Sequence, residues 1–123
     1  MTACDYILIV EDDFDIRDAL MQILEEEGYG VRGVANGQEA LDLLAREPAP
    51  KLILLDLMMP VMNGWQFRAE QLKNPRLAGV PVLVISADPH LQPKAESLGA
   101  AGLLKKPISL DELLVAVKSH CPP

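Results

Sequence analysis

Cysteine, aromatic side chains and clustered positive charge are all scarce in this sequence. Two cysteines, Cys4 and Cys121, stand near opposite ends of the 123 residues. His90 and His120 are the only other candidate zinc ligands of the Cys/His type, and the single adjacent pair His120-Cys121 is too little for a structural zinc site. Two reduced thiols are expected rather than a disulfide framework. Eleven Lys and Arg against eighteen Asp and Glu leave a net charge of −7, the opposite of the basic patch that a nucleic-acid surface requires. No apolar run approaches the roughly eighteen residues that span a bilayer. The start, Met1-Thr2-Ala3-Cys4-Asp5, has no basic region ahead of an apolar stretch. Neither a secretory leader nor a membrane anchor is therefore expected, and a cytoplasmic setting is.

What the chain does have is apolar mass, at 50% of its residues. That suffices for one core without staples, so a single domain is expected over 1–123, ordered over about 5–120. Five short apolar runs, Tyr6–Val10, Val31–Val34, Leu52–Leu55, Val80–Ile85 and Gly102–Leu104, alternate with more polar segments. Most are continuously apolar rather than alternating, as strands covered on both faces of a parallel sheet should be.

Helix signals fill the gaps. Ile16, Ala19, Leu20, Ile23 and Leu24 recur at helical spacing, and Gly28 supplies a stop. Asn36 with Glu39, and Ser109 with Glu112, have the spacing of capping boxes. The segment between Gly64 and Asn74 is less clearly patterned, with Trp65, Phe67, Ala69 and Leu72. A fourth helix is confined by Pro89 and Pro93 to roughly Pro93–Leu98. Regular β-α alternation predicts a doubly wound α/β domain with right-handed crossovers and helices on both faces.

The chemistry lies just past the strands. Glu11-Asp12-Asp13 follows the first, Asp56 the third, Ser86 ends the fourth and Lys106 the fifth. In open α/β sheets, sites form outside the carboxyl ends of the strands, near a topological switch point. Singly, each residue has a plain explanation: Asp13 as a helix cap, Asp56 as a turn former, Ser86 as a loop hydroxyl, Lys106 as a solvated charge. Their coincidence at one rim has none. Glu11, Asp12 and Asp56 crowded together would repel one another unless a cation neutralised them. Hard oxygen donors without a soft ligand point to Mg²⁺. A carboxylate beside the metal can form an acyl phosphate, with Lys106 and Ser86 available to the new phosphoryl charge.

With these motifs, the sequence resembles the response regulator receiver family along essentially its whole length. Ile7-Leu8-Ile9-Val10-Glu11-Asp12-Asp13 is similar to the family's first strand and acidic pair, and Leu54 to Gly64 to its phosphoacceptor segment, including Pro60. Ser86-Ala87 and Lys106-Pro107 match its hydroxyl and Lys-Pro steps. The resemblance implies a flavodoxin-like (βα)5 sheet in the order 2-1-3-4-5. It implies Asp56 as phosphoacceptor, Asp12 as direct Mg²⁺ ligand, Glu11 acting through water and the Met58 carbonyl as a further ligand. It also implies a cis peptide before Pro107 and a switch rather than an enzyme. The implied donor is a histidine kinase or phosphotransfer protein. An unidentified downstream partner would meet the face built from the fourth strand to the fifth helix.

Two departures stand out. Leu103 occupies the place of the family's aromatic switch residue, and the stretch from Ser86 to Lys106 is short and carries two prolines. Two other readings compete. A degenerate receiver that is never phosphorylated would usually have lost the acidic pair, the acceptor or the lysine, and all are present. A haloacid-dehalogenase-type phosphatase would need an acid two residues after Asp56, where Met58 cannot transfer a proton.

Overall fold

A computed structural model describes residues 6–57, 61–87, 93 and 96–120. Five strands, β1 (Ile7–Val10), β2 (Val31–Val34), β3 (Leu52–Asp56), β4 (Val82–Ser86) and β5 (Gly102–Lys105), form one parallel sheet in the order β2-β1-β3-β4-β5. The helices described are α1 (Phe14–Glu26), α2 (Gly37–Arg46), α3 (Gly64–Lys73) and α4 (Leu110–His120). Of the fourth helix expected from the sequence, Pro93, Glu96 and Ser97 are helical, and its other residues up to Ala95 lie outside the described ones. Cys4, His90 and Cys121 also lie outside them.

Alternation along each strand sorts the core into two layers. Leu8, Val10, Ile53, Leu55, Val82 and Val84 face α2 and α3, meeting Leu43, Leu44 and Phe67. Ile7, Ile9, Leu52, Leu54, Leu83 and Ile85 face α1 and α4, meeting Leu20, Leu24, Leu113 and Val117. β1, β3 and β4 are buried on both faces, which is why they read as unbroken apolar runs. β2 and β5 are the exceptions: at the sheet's two edges they are covered less completely, and Arg32 and Lys105 are exposed.

The caps follow short-range hydrogen bonding. Asp13 accepts from the Ile16 N–H at 3.1 Å and Asn36 from the Glu39 N–H at 2.9 Å. Glu39 reaches back to the Ala35 N–H, one residue beyond the cap itself. Ser109 accepts from the Glu112 N–H at a longer 3.4 Å. α3, the least patterned helix, begins with a reciprocal capping box between Asn63 and Gln66.

Candidate functional site

The strand order reverses direction between β1 and β3, and the carboxyl ends of these two neighbours carry the acidic residues. The sheet registers Val10 against Leu55, so Glu11 and Asp56 emerge side by side. Glu11, Asp12 and Asp56 each bring a carboxylate oxygen within 4.8 Å of the others. Glu11 is fully buried and Asp56 is 2% exposed, whereas Asp12 is exposed. Glu11 is held from two sides: the Asp13 N–H donates to its Oε2 at 3.1 Å, and Arg17 Nη1 donates to its backbone carbonyl at 2.8 Å.

Lys106 arrives from just past β5. Its backbone N–H donates to the Ser86 carbonyl at 3.1 Å, extending the β4–β5 ladder by one bond. Lys106-Pro107 is cis, as the resemblance implies. Lys106 Nζ stands 2.9 Å from Glu11 Oε1 and 3.4 Å from Asp56 Oδ2. Burial alone would lower its pKa, but the hydrogen bond to Glu11 and the charges of Asp56 and Glu11 outweigh that and raise it above the ordinary lysine value. The ammonium is thus a firmly protonated counter-charge between two buried carboxylates. Ser86, 2% exposed, ends β4 beside it. Met58 lies outside the described residues.

The sequence-predicted residues Glu11, Asp12, Asp56, Ser86 and Lys106 therefore share one rim. One contributor escaped the sequence reading. Arg17 fixes the Glu11 carbonyl, and its signal was being the one basic residue between Glu11 and Val31. Gly64, the turn glycine already noted in the sequence, packs so closely on the end of β3 that a Cβ there would lie 2.8 Å from Leu57 Cα and 3.1 Å from the Asp56 carbonyl oxygen. Beside the rim, an apolar cleft of about 260 Å³ opens between α1 and α4, lined by Ile16, Ile23, Ile108 and Leu110 among others. Asp13 serves as a cap, Lys105 is exposed, and Trp65 and Leu103 are half-buried.

Residues 7–118 match the family model of the response regulator receiver domain. The chain is 38% identical over 120 residues to sporulation initiation phosphotransferase F of Bacillus subtilis, covering 94% of this chain and 93% of that protein. It is also 38% identical over 114 residues to the transcriptional regulatory protein CrdR of Helicobacter pylori, covering 91% of this chain but 53% of that protein. Among solved structures, the chemotaxis response regulator CheY4 of Vibrio cholerae superposes with a TM-score of 0.86 at 28% identity, covering 96% of this chain and 99% of that one. The receiver domain of a Pseudomonas aeruginosa sensor histidine kinase, solved with a magnesium ion in its active-site cleft, gives a TM-score of 0.85 at 26% identity, covering 96% and 98%. The chain belongs to the response regulator receiver family, the receivers of two-component signalling systems, and has its flavodoxin-like fold. Receivers of this family interact with histidine kinases or phosphotransfer proteins and bind Mg²⁺ in an acidic pocket. Among the described residues, no helix is long and apolar enough to cross a membrane.

Proposed function

We propose that residues 1–123 form one receiver unit that accepts a phosphoryl group on Asp56 from a phosphohistidine of a kinase or phosphotransfer protein in the cytoplasm. An Asp56 carboxylate oxygen attacks phosphorus, the P–N bond to the donor imidazole breaks, and an acyl phosphate forms as the imidazole leaves with a proton. The observation that carries this is the grouping of Glu11, Asp12 and Asp56 around Lys106 at one rim.

Three hard carboxylate donors within 4.8 Å suit Mg²⁺ and suit no soft metal. Asp12 and Asp56 would hold it directly, Glu11 through water, and the Met58 carbonyl would complete the set. Bound there, Mg²⁺ would offset charge on the phosphoryl oxygens and between the carboxylates. Exposure fits this division: Asp12 faces solvent and can meet a hydrated ion, while Glu11 is buried behind it. Lys106 is a cation paired with Glu11 and Asp56, and it could turn from them toward a phosphoryl oxygen once a metal neutralises them. The Ser86 hydroxyl would hydrogen-bond the same group. The donor would dock along α1 beside the rim. The protein acts as a switch, with no small-molecule substrate, and its output passes to a partner through the face formed by β4, β5 and α4.

The test is intact mass after incubation with acetyl phosphate, with and without Mg²⁺. The wild type should gain one phosphoryl group only with Mg²⁺ and lose it to hydroxylamine, and Asp56→Ala should gain none. A wild type that gains nothing under any condition, or an Asp56→Ala variant modified like it, would remove the reading.

A further inference from the structure

Arg68, in the middle of α3, is 8% exposed, and among the described residues no other basic side chain is buried. No described carboxylate pairs with it. Its partners are neutral: Nε donates to the Leu98 carbonyl at 3.0 Å, Nη2 to the Gly99 carbonyl at 3.2 Å and Nη1 to Gln71 Oε1 at 2.8 Å. Gln71, fully buried, donates onward from Nε2 to the carbonyls of Leu77 at 3.0 Å and Val80 at 3.1 Å. A cation kept from water without an anion is costly, and an apolar side chain could fill the same volume. What only the guanidinium supplies is a rigid fork of donors.

That fork grips a particular place. Gly99, at φ +68, turns the chain out of the helical conformation of residues 96–97, and its N–H donates to the Glu96 carbonyl at 3.0 Å. Two residues later the Ala101 N–H joins the ladder at Val82 and β5 begins. Arg68 therefore holds the stretch leading into β5, and Gln71 holds the stretch leading into β4.

The start of α3 abuts the acidic site. Gly64 lies one helical turn before Arg68 on the same face, donates its N–H to the Leu57 carbonyl at 3.0 Å and touches the Asp56–Leu57 backbone. A single turn of helix, about 6 Å of rise, joins the acceptor backbone to the carbonyls of Leu98 and Gly99.

We propose that α3 is a lever coupling the state of Asp56 to the segment leading into β5, with Arg68 as the positioning residue that transmits it. This rests on the phosphoacceptor reading. A phosphoryl group on Asp56 adds bulk and charge at the end of β3, whose backbone meets a helix start that has no slack. In a close-packed interior the helix moves as a unit, and the guanidinium carries Leu98 and Gly99 with it.

Hydrogen–deuterium exchange of the whole chain, read by mass spectrometry before and after treatment with acetyl phosphate and Mg²⁺, tests the lever. Phosphoryl content is measured in the same samples. In the wild type, phosphorylation should change exchange at amides 98–104 by about threefold or more. Arg68→Met should take up the phosphoryl group and show no such change, whatever its resting exchange. Arg68→Lys, with one donor group in place of the fork, should keep part of the change and serves if Arg68→Met does not fold. A phosphorylated Arg68→Met with the wild-type change, or a phosphorylated wild type with none, overturns the lever alone. A wild type that takes up no phosphoryl group overturns the phosphoacceptor reading and the lever with it.

Discussion

Adding one methyl group at Gly64 tests whether the packing of α3 on the end of β3 rests on backbone contact. A Cβ at this position would lie 2.7 Å from Leu57 Cδ2 and 2.8 Å from Leu57 Cα. The side-chain methyl can swing aside, but the Cα directly follows β3, which carries Asp56, and cannot. The start of α3 must therefore retreat, straining the 3.0 Å bond from the Gly64 N–H to the Leu57 carbonyl. Overpacking of this kind costs about 1–3 kcal/mol, and a weakened hydrogen bond about 1 kcal/mol more. The better helix propensity of alanine returns at most about 1 kcal/mol. The net loss for Gly64→Ala is then about 1–3 kcal/mol. For a chain of 123 residues, each kcal/mol corresponds to about 3–5 °C in Tm. Because the Asp56 carbonyl is 3.1 Å from the same methyl, phosphoryl uptake from acetyl phosphate should slow about tenfold or more. Gly79→Ala is the control: nothing lies within 4 Å of a Cβ there, and its φ is not positive. It should leave Tm unchanged or raise it through a less flexible unfolded chain. Thermal melts followed by circular dichroism, with uptake rates by intact mass, give both readouts. A Gly64→Ala protein that melts with the wild type and is phosphorylated at its rate would refute the reasoning.

Four further outcomes follow from the structure. Val61 is 80% exposed and holds φ +68, a conformation costly for a β-branched residue, so Val61→Gly should raise stability by about 1 kcal/mol in urea unfolding. The buried Tyr6 hydroxyl donates to the Pro48 carbonyl at 2.5 Å, whereas the buried Tyr29 hydroxyl has no hydrogen-bond partner among the described residues. Tyr6→Phe should therefore cost about 1 kcal/mol while Tyr29→Phe is neutral or stabilising in the same assay. Burial raises both phenol pKa values, with Glu47 adding to it at Tyr6 and Lys118 opposing it more than Glu27 supports it at Tyr29, so the folded state favours the neutral ring. Stability should be intact below about pH 10 and fall as pH rises through the folded values, a loss that the double Phe variant should lack. Finally, Asp12→Asn removes one of three clustered negative charges, so in EDTA it should melt above the wild type. The wild type should gain about 2.7 kcal/mol at a Mg²⁺ concentration one hundred times Kd, and the variant much less.

Much of this molecule is legible along the chain because the signals are short-range. Unbroken apolar runs mark β1, β3 and β4, which are covered on both sides. Asp13 and Asn36 cap helices through hydrogen bonds spanning three residues. Glu11, Asp12, Asp56, Ser86 and Lys106 could be collected at one rim because a parallel sheet points every strand's end the same way. A capping box at Asn63 and Gln66 was equally local, but the weak apolar pattern of α3 drew attention from it.

Tertiary structure decided what depends on neighbours distant in sequence. Which of two adjacent acids is buried, Glu11, and which faces water, Asp12, follows from how β1 ends against β3. Lys106 sits nearer to Glu11 than to Asp56 because its backbone is tied to Ser86 across the β4–β5 ladder. Arg68 and Gln71 look from sequence like the solvated face of a polar helix. They are interior because the carbonyls of residues 98–99, 77 and 80 come to them, up to 31 residues away. A sequence fixes its hydrogen-bond donors and its apolar periods; only the closed sheet determines which acceptors those donors can reach.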